Sequence, residues 1–151
     1  MEHPVCDVLL TENAILILSS ELPAETGAVL DFWGVVRKTE GAAEITGIEY
    51  EAHRAMAEHQ LRAIALEGAE RFGLAQVCVH HRVGFVPVGA ASLFVRVGSR
   101  HRVAGFQASM WIVDELKKRA PIWKHPRFKV SRDAEAQTMP AQRLPAALLR
   151  A

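Results

Sequence analysis

The sequence predicts an α+β protein with a mainly antiparallel sheet and two principal helices. Short apolar or alternating segments, which are typical of strands, come in two groups, and each group is followed by a longer segment with helical spacing. Strands that follow one another directly favour antiparallel pairing over repeated β–α–β units. The chain has 151 residues, half of them apolar, so it is long enough for one domain with a substantial core.

The first half of the chain predicts four strands separated by turn residues. They span 5–10, 15–18, 28–37 and 45–51, with a loop over 19–27 and a polar turn at 40–41. The last of these strands alternates between apolar and polar side chains, which is the period of a half-buried strand.

The first helix is predicted over 52–72. Its apolar residues recur at three- and four-residue spacing, and Gly73 after them suits the left-handed conformation of a helix C-cap. The apolar positions are Ala57, Leu61, Ile64, Ala65, Ala69 and Phe72.

Two further strands and a second helix follow. The strands are predicted over 75–81 and 92–97, with turn residues over 83–89 between them. Ser99 is in position to cap the second helix, which runs to about Lys118 and ends before Pro121, because proline disfavours a helical residue before it. We expect its inner face to carry Phe106, Val113 and Leu116.

The chain is predicted to form a single domain over 1–128, followed by a C-terminal tail over 129–151. The tail is polar and rich in alanine, glutamine and proline, without a clear helical or strand period. We therefore expect it to be flexible.

The charge is distributed unevenly, although the net charge is only +1. Residues 1–36 contain six acids and no lysine or arginine, whereas residues 96–132 contain ten basic residues and two acids. An asymmetry of this size indicates an anion-binding surface in the second segment.

Several classes of protein are disfavoured by composition. The two cysteines, Cys6 and Cys78, form no CxxC pair, and Cys78 lies in an apolar run that is typical of a core strand. No segment approaches the roughly 18–20 apolar residues of a membrane span, and the N-terminus is acidic where a signal peptide is basic. The sequence thus predicts a cytoplasmic protein that contacts no membrane.

Metal and nucleic-acid sites are also disfavoured. His80 and His81 are adjacent in a predicted strand, so they point to opposite faces, and we expect one to be buried and the other exposed. The basic segment is not interleaved with exposed aromatic residues, which argues against single-stranded nucleic acid as a partner. We expect no metal site.

Two basic groups are candidates for anion binding. His101 and Arg102 stand at the start of the second helix, where free backbone N–H groups favour a phosphate or a carboxylate. Lys117 ends that helix, and Lys124 follows a Pro-Ile-Trp stretch that needs burial. The alternative for both groups is ordinary solvated charge, and Arg37 at a strand end has the same two interpretations.

These candidates belong to segments that stand in a recognisable order over about residues 27–125. The segments are FWGVVR at 32–37, YEAH at 50–53 with Met56 and Ala57, HRVG at 81–84, Ser99 with HR at 101–102, DELK at 114–117 and PIWK at 121–124. In this order and spacing, the chain resembles the large, catalytic subunit family of molybdopterin synthase.

The resemblance implies an α/β-hammerhead fold and a sulfurtransferase that converts cyclic pyranopterin monophosphate into molybdopterin, the dithiolene of the molybdenum cofactor. It implies that the sulfur arrives on the C-terminal thiocarboxylate of a small ubiquitin-like partner ending in Gly-Gly. It therefore implies no catalytic cysteine and no resident cofactor. It also implies a homodimer of the large subunit within a heterotetramer.

The resemblance assigns roles to particular residues. Lys117 and Lys124 match the family's two essential lysines, and we expect Lys117 to manage protons and charge at the acyl centre. The remaining matches predict a substrate-binding set of Val35, Val36, Arg37, His101, Arg102 and His125.

One departure from the family pattern keeps a second interpretation open. The family often has a basic residue and then glutamate after the second lysine, whereas this chain has His125 and Pro126. A non-catalytic homologue that binds the small partner or a pterin phosphate is therefore the alternative. A general anion- or nucleotide-binding domain is a third and weaker interpretation.

Overall fold

The computed structural model describes residues 3–18 and 21–130, which form eight strands and two helices. The elements in chain order are β1 (Val5–Thr11), β2 (Ala28–Val35), β3 (Thr39–Glu40), β4 (Ala43–Ala52), α1 (Arg54–Phe72), β5 (Gln76–Arg82), β6 (Gly84–Pro87), β7 (Ala91–Ser99), α2 (Arg102–Arg119) and β8 (Ile122–Phe128). The predicted α+β class is confirmed.

The larger sheet has the strand order β1-β5-β7-β2 and carries both helices on one face. Only the β1–β5 pair is parallel, and the other pairs are antiparallel. Alternate side chains of β5 and β7, such as Val77, Val79, Val95 and Val97, point towards the helices and are fully buried. The main hydrophobic core therefore lies between this sheet and α1 and α2.

The smaller sheet is built around β4, which pairs with β3, β6 and β8 in antiparallel fashion. Its buried side chains form a second cluster: Val36, Ile45, Ile48, Tyr50 and Val86. Ile122, the first residue of β8, packs against this cluster, against the main core and against a third cluster of Leu10, Ala57 and Val83. The start of β8 thus joins the two sheets.

Helix α1 follows its prediction closely. His53 is the N-cap, and its Nδ1 accepts a hydrogen bond from the backbone N–H of Met56 at 3.3 Å. Gly73 is the C-cap with φ 61°, in the left-handed region that glycine adopts without strain. The predicted apolar spacing is confirmed, since Ala57, Leu61 and Ile64 are fully buried.

Several details of the sequence prediction are wrong. Residues 15–18 form no strand and lie as an irregular segment with Leu16 and Leu18 exposed. Ser99 does not cap α2, because His101 is the N-cap and the Ser99 hydroxyl donates to the His101 carbonyl at 2.7 Å. Phe106 is exposed, whereas Val113 and Leu116 are buried as expected.

Strands β6 and β8 were both missed. Strand β6 lies within the segment 83–89 that was predicted as turn, and strand β8 lies within a basic, proline-containing stretch. Pro126 pairs with Ile48 in the ladder, and β8 pairs only with β4 among the described strands. A proline without an N–H is tolerated at such an edge position. The predicted tail over 129–151 lies outside the described residues except for Lys129 and Val130, neither of which is in a helix or strand.

Gly68 tests the contact between α1 and α2. A Cβ atom at this position would lie 3.1 Å from Ile112 Cγ1 and 3.3 Å from Trp111. Valine has a higher helix propensity than glycine, so the Gly68→Val substitution would stabilise a helix at a solvent-exposed position. We expect it instead to lower the free energy of unfolding by about 1–3 kcal/mol through overpacking.

Urea unfolding followed by circular dichroism measures this change. Ala55→Val on the exposed side of α1 is the control, and we expect it to cost no more than about 0.7 kcal/mol. A Gly68→Val protein more stable than the wild type would contradict the close helix contact.

Candidate functional site

The two lysines selected from the sequence lie on either side of the junction between α2 and β8. Lys117 is in the last turn of α2, Lys124 is in the middle of β8, and only Ala120 and Pro121 separate the two elements. Both lysines are exposed, and neither has an acidic partner within the described residues. The neighbouring Lys118 and Arg119, in contrast, pair with Glu115, and Arg119 also pairs with Glu67 at 2.7 Å.

Arg37 and Lys124 border the same hydrophobic cluster of the smaller sheet. Arg37 directly follows Val36, which is buried in that cluster, and is itself exposed. Lys124 stands opposite Tyr50 in the β4–β8 ladder, and directly opposed residues project from the same face of a sheet. Tyr50 belongs to the cluster that contains Val36. Both cations therefore border this cluster, Arg37 next to Val36 and Lys124 opposite Tyr50.

Tyr50 fixes this arrangement, although it was not among the predicted site residues. Its hydroxyl donates to Ser92 Oγ at 3.1 Å, and Ser92 Oγ donates to the Gly34 carbonyl at 3.4 Å. Burial raises the pKa of Tyr50, so it remains a neutral donor. This chain of hydrogen bonds ties β4 to β7 and to the end of β2 that leads to Arg37. The sequence feature that could have indicated this role is that Tyr50 is the one tyrosine of the chain and lies in a strand with alternating apolar and polar residues.

Val35 and Val36 differ in what they offer a ligand. The side chain of Val35 is 51% exposed, whereas that of Val36 is 3% exposed and packs in the cluster. The backbone of Val36 donates to the Ala90 carbonyl and accepts from the Gly89 N–H. Of the two predicted lining residues, only Val35 presents its side chain to the surface.

His125 points away from Lys124. Adjacent residues of a strand project to opposite faces, and His125 Nε2 lies 3.0 Å from Glu51 Oε2. His125 lines a separate cavity of about 390 Å³ together with Glu12, Glu49 and Arg127. The structure does not bring this predicted residue together with the two lysines.

His101 and Arg102 lie at the opposite end of α2 from Lys117. His101 is the N-cap and Arg102 is the first helical residue, and both are exposed. Lys117 comes sixteen positions after His101, which corresponds to about 24 Å at roughly 1.5 Å per residue of helix. One copy of the chain therefore does not bring the His-Arg pair and Lys117 into one small-molecule pocket.

The exposed side of α2 carries an apolar stripe beside the His-Arg pair. Val103, Phe106 and Met110 are all at least 60% exposed, at a spacing that places them on one side of the helix. Exposed apolar residues at helical spacing are typical of a surface that another protein covers.

Neither cysteine is suited to act as a nucleophile. Burial raises the pKa of the Cys6 thiol, and burial together with Asp7 raises the pKa of Cys78 to about 12. A thiol must lose its proton to attack, so both remain unreactive near neutral pH. The candidate site can bind anions and move protons, and a sulfur atom used there has to come from another molecule.

The prediction for the adjacent histidines is wrong, since neither is exposed. His80 Nε2 lies 2.8 Å from Asp7 Oδ2, and His81 Nδ1 lies 2.8 Å from the Arg82 carbonyl. Burial lowers the pKa of His81, so it is neutral at pH 7. Cys78 is buried, as expected.

Neither of the described helices is long and apolar enough to cross a membrane.

Comparison with known proteins gives a consistent set of relatives. The family model described as MoaE protein matches residues 7–119. A molybdopterin synthase catalytic subunit from Pyrococcus abyssi is 37% identical over 113 residues, which cover 75% of this chain and 74% of that protein.

Solved structures agree with this match. The crystal structure of molybdopterin synthase from Staphylococcus aureus superposes with a TM-score of 0.70 at 25% identity and covers 87% of this chain and 95% of that one. A complex of subunits 1 and 2 of molybdopterin-converting factor from Helicobacter pylori, with a TM-score of 0.57 and 21% identity over 72% of this chain and 75% of that one, shares the fold. The resemblance drawn from the sequence is confirmed, and the chain belongs to the MoaE family.

Proposed function

We propose that this chain is the catalytic subunit of a molybdopterin synthase. The proposal rests on family membership together with one structural observation: Lys117 and Lys124 flank the α2–β8 junction without acidic partners among the described residues. Both reactants in this proposal, a phosphate-bearing pterin and a thiocarboxylate, are anions. Cations without acidic partners at one place can bind and stabilise such anions. The substrate would be cyclic pyranopterin monophosphate, which carries a phosphate.

The sulfur donor in this proposal is the C-terminal thiocarboxylate of a small ubiquitin-like partner ending in Gly-Gly. Both cysteines of this chain are held protonated, which agrees with a sulfur atom supplied from outside. The Helicobacter pylori relative is itself a complex of two subunits.

Lys117 would act at the acyl carbon of the partner's C-terminus once the thiocarboxylate sulfur has bonded to the pterin. Water then attacks that carbon, the carbon–sulfur bond breaks, and the partner leaves as a carboxylate while the sulfur stays on the pterin. The position of Lys117 in the last turn of α2 places the ammonium group near the negative end of the helix dipole. A charged lysine can stabilise the anion that develops at the acyl carbon and can donate a proton to it. Lys124 and Arg37 would hold the phosphate and the pterin oxygens, beside Val35.

His101 and Arg102 would serve the site of a second copy. The length of α2 separates them from Lys117 of their own chain, whereas a homodimer can bring one chain's helix start to the other chain's helix end. The exposed stripe of Val103, Phe106 and Met110 beside them would be covered by that contact. This agrees with a homodimer at the centre of a heterotetramer.

The second candidate function is a homologue that binds the partner or a pterin phosphate without turnover. Pro126 favours it, because a carboxylate that is common in the family at this place is missing. We prefer the catalytic function because both lysines, Arg37 and the His-Arg pair are retained. We also propose that the protein acts in the cytoplasm, where its two free cysteines would remain reduced.

Replacing either lysine by alanine is expected to abolish most of the sulfur transfer. Removal of one general acid or electrostatic stabiliser costs about 10²–10⁴ in rate, so Lys117→Ala and Lys124→Ala should fall in this range. The measurement is conversion of cyclic pyranopterin monophosphate by thiocarboxylated partner in vitro. Lys118→Ala is the control, since Lys118 is paired with Glu115, and it should retain near-normal activity. A Lys117→Ala protein with the wild-type rate would contradict the assignment.

Mixing two inactive variants tests the two-copy site. If each site combines Lys117 of one chain with Arg102 of the other, a dimer of Lys117→Ala and Arg102→Ala chains has one intact site. Random assembly of equal amounts should then restore about a quarter of the wild-type activity.

Separate incubation of each variant gives the baseline of this experiment. If mixing and re-equilibration restore nothing above that baseline while mixed dimers form, the site lies within one chain and the two-copy proposal is wrong. Mixed dimers are verified by tagging one variant and recovering the other with it.

A further inference from the structure

A cluster of three metal-ligating side chains lies on the face of the larger sheet opposite the helices. Asp7, Cys78 and His80 place a carboxylate oxygen, a thiol sulfur and a ring nitrogen within 4.8 Å of one another. Asp7 Oδ2 is 3.6 Å from Cys78 Sγ and 2.8 Å from His80 Nε2. These residues belong to β1 and β5, whereas the two lysines belong to α2 and β8.

The strand register explains why the three side chains converge. Asp7 stands beside Cys78 in the parallel β1–β5 ladder, and His80 comes two residues after Cys78 on the same face of β5. Cys6 and Val77, one residue away on each strand, belong to the opposite side and pack against the main core. The cluster is thus held by backbone pairing of two neighbouring strands.

The surroundings offer a further ligand. Gln76 is 6% exposed and lines the same cavity of about 320 Å³, and its Oε1 atom is buried without a hydrogen-bond partner among the described residues. His80 Nδ1 is also buried and has no hydrogen-bond partner among the described residues. An amide oxygen that lines the cavity without a hydrogen-bond partner among the described residues can accept a bond from, or coordinate, a group that enters the cavity.

A cation that faces the cluster is already neutralised by an acid. Arg96 stands opposite Cys78 in the β5–β7 ladder and lines the same cavity. Its guanidinium is bound by both oxygens of Asp31, at 2.6 and 2.7 Å. A bound metal ion would therefore meet an ion pair rather than a free positive charge.

We propose that Asp7, Cys78 and His80 form a zinc-binding site, with Gln76 Oε1 or water as the fourth ligand. Thiolate sulfur, imidazole nitrogen and carboxylate oxygen are the ligands that Zn²⁺ takes in proteins. In a tetrahedral site with bonds of roughly 2.0–2.3 Å, the ligand atoms lie about 3.3–3.8 Å apart, so small side-chain movements suffice here. Binding replaces the Cys78 thiol proton by the metal and releases that proton to solvent.

The site is open on one side. The Asp7 side chain is 62% exposed, and the neighbouring residues 16–18 form the rest of the cavity rim. A metal ion can therefore enter without unfolding of the sheet. By joining β1 to β5, the ion would stabilise the only parallel strand pair described in the structure.

Metal titration of the full-length protein tests the proposal independently of sulfur transfer. Chelator-treated protein is titrated with Zn²⁺ by calorimetry and with Co²⁺ by absorption spectroscopy, where a cobalt–thiolate band reports Cys78 as a ligand. We expect one ion per chain, a cobalt–thiolate band and a higher Tm in the presence of Zn²⁺.

Three variants decide which residues hold the ion. Cys78→Ser and Asp7→Asn should each weaken Zn²⁺ binding by more than about 100-fold, since even groups that only orient a ligand are worth 10–100-fold. Asp7→Asn is isosteric and partly exposed, so it keeps the test valid if the Cys78 variant misfolds. Cys6→Ser is the matched control, because Cys6 faces the main core, and it should bind zinc like the wild type.

Two results would overturn the proposal. One is zinc uptake by Asp7→Asn equal to that of the wild type, which would assign the ion to other histidines of the surface. The other is a wild-type cobalt spectrum without a thiolate band, which would leave Asp7, Cys78 and His80 as a hydrogen-bonded group only.

Discussion

The fixed length of helix α2 determines which of the candidate residues can share a site. Backbone hydrogen bonds fix the rise of a helix, and α2 is held along its whole length by residues buried against β2, β7 and α1. The buried positions are Gly105, Ala108, Ile112, Val113 and Leu116. Because the helix can neither shorten nor bend freely, the cations at its two ends stay apart. A site that needs both ends needs two chains.

The junction between α2 and β8 positions the cations of the candidate site. Pro121 ends the helix, Ile122 anchors β8 in three hydrophobic clusters, and Lys124 follows on the exposed part of the strand. The hydrogen bonds from Tyr50 to Ser92 and from Ser92 to Gly34 connect β4 with the strand end at Arg37. The cations of the site are therefore positioned by buried contacts of their neighbours and not by contacts of their own.

Ion pairing explains how the basic segment produces a local site from a nearly neutral protein. Four of its basic residues are paired with acids, namely Arg96, Lys118, Arg119 and Lys129. Exposed pairs of this kind contribute little to stability, but they remove charge from the surface. Within the described part of the chain, Lys117 and Lys124 have no such acids, so the positive potential remains where the two elements meet.

The sequence was sufficient for the fold class and for α1 with its glycine cap, because periodicity is a local property. It selected Lys117 and Lys124, which the structure places on either side of one junction, but it grouped His125 with them and missed Tyr50. It was insufficient where long-range packing decides. Strand β8 depends on pairing with β4, and neither Pro126 nor the basic residues around it indicate a strand. Phe106 fits a helical stripe but lies on the exposed side. The convergence of Asp7, Cys78 and His80 depends on the register of two strands about 70 residues apart in sequence, which no local pattern reveals.

Cross-linking tests whether the start of α2 in one chain lies beside the end of α2 in the other chain. Arg102→Cys and Lys117→Cys chains are mixed and treated with a short bis-maleimide, with the unsubstituted protein as the control for the two native cysteines. If the site is shared between two chains, we expect a cross-linked dimer that contains one chain of each kind. We expect no cross-link within a chain that carries both substitutions. An intrachain cross-link in the double variant, without a cross-linked dimer, would contradict a site shared between two chains.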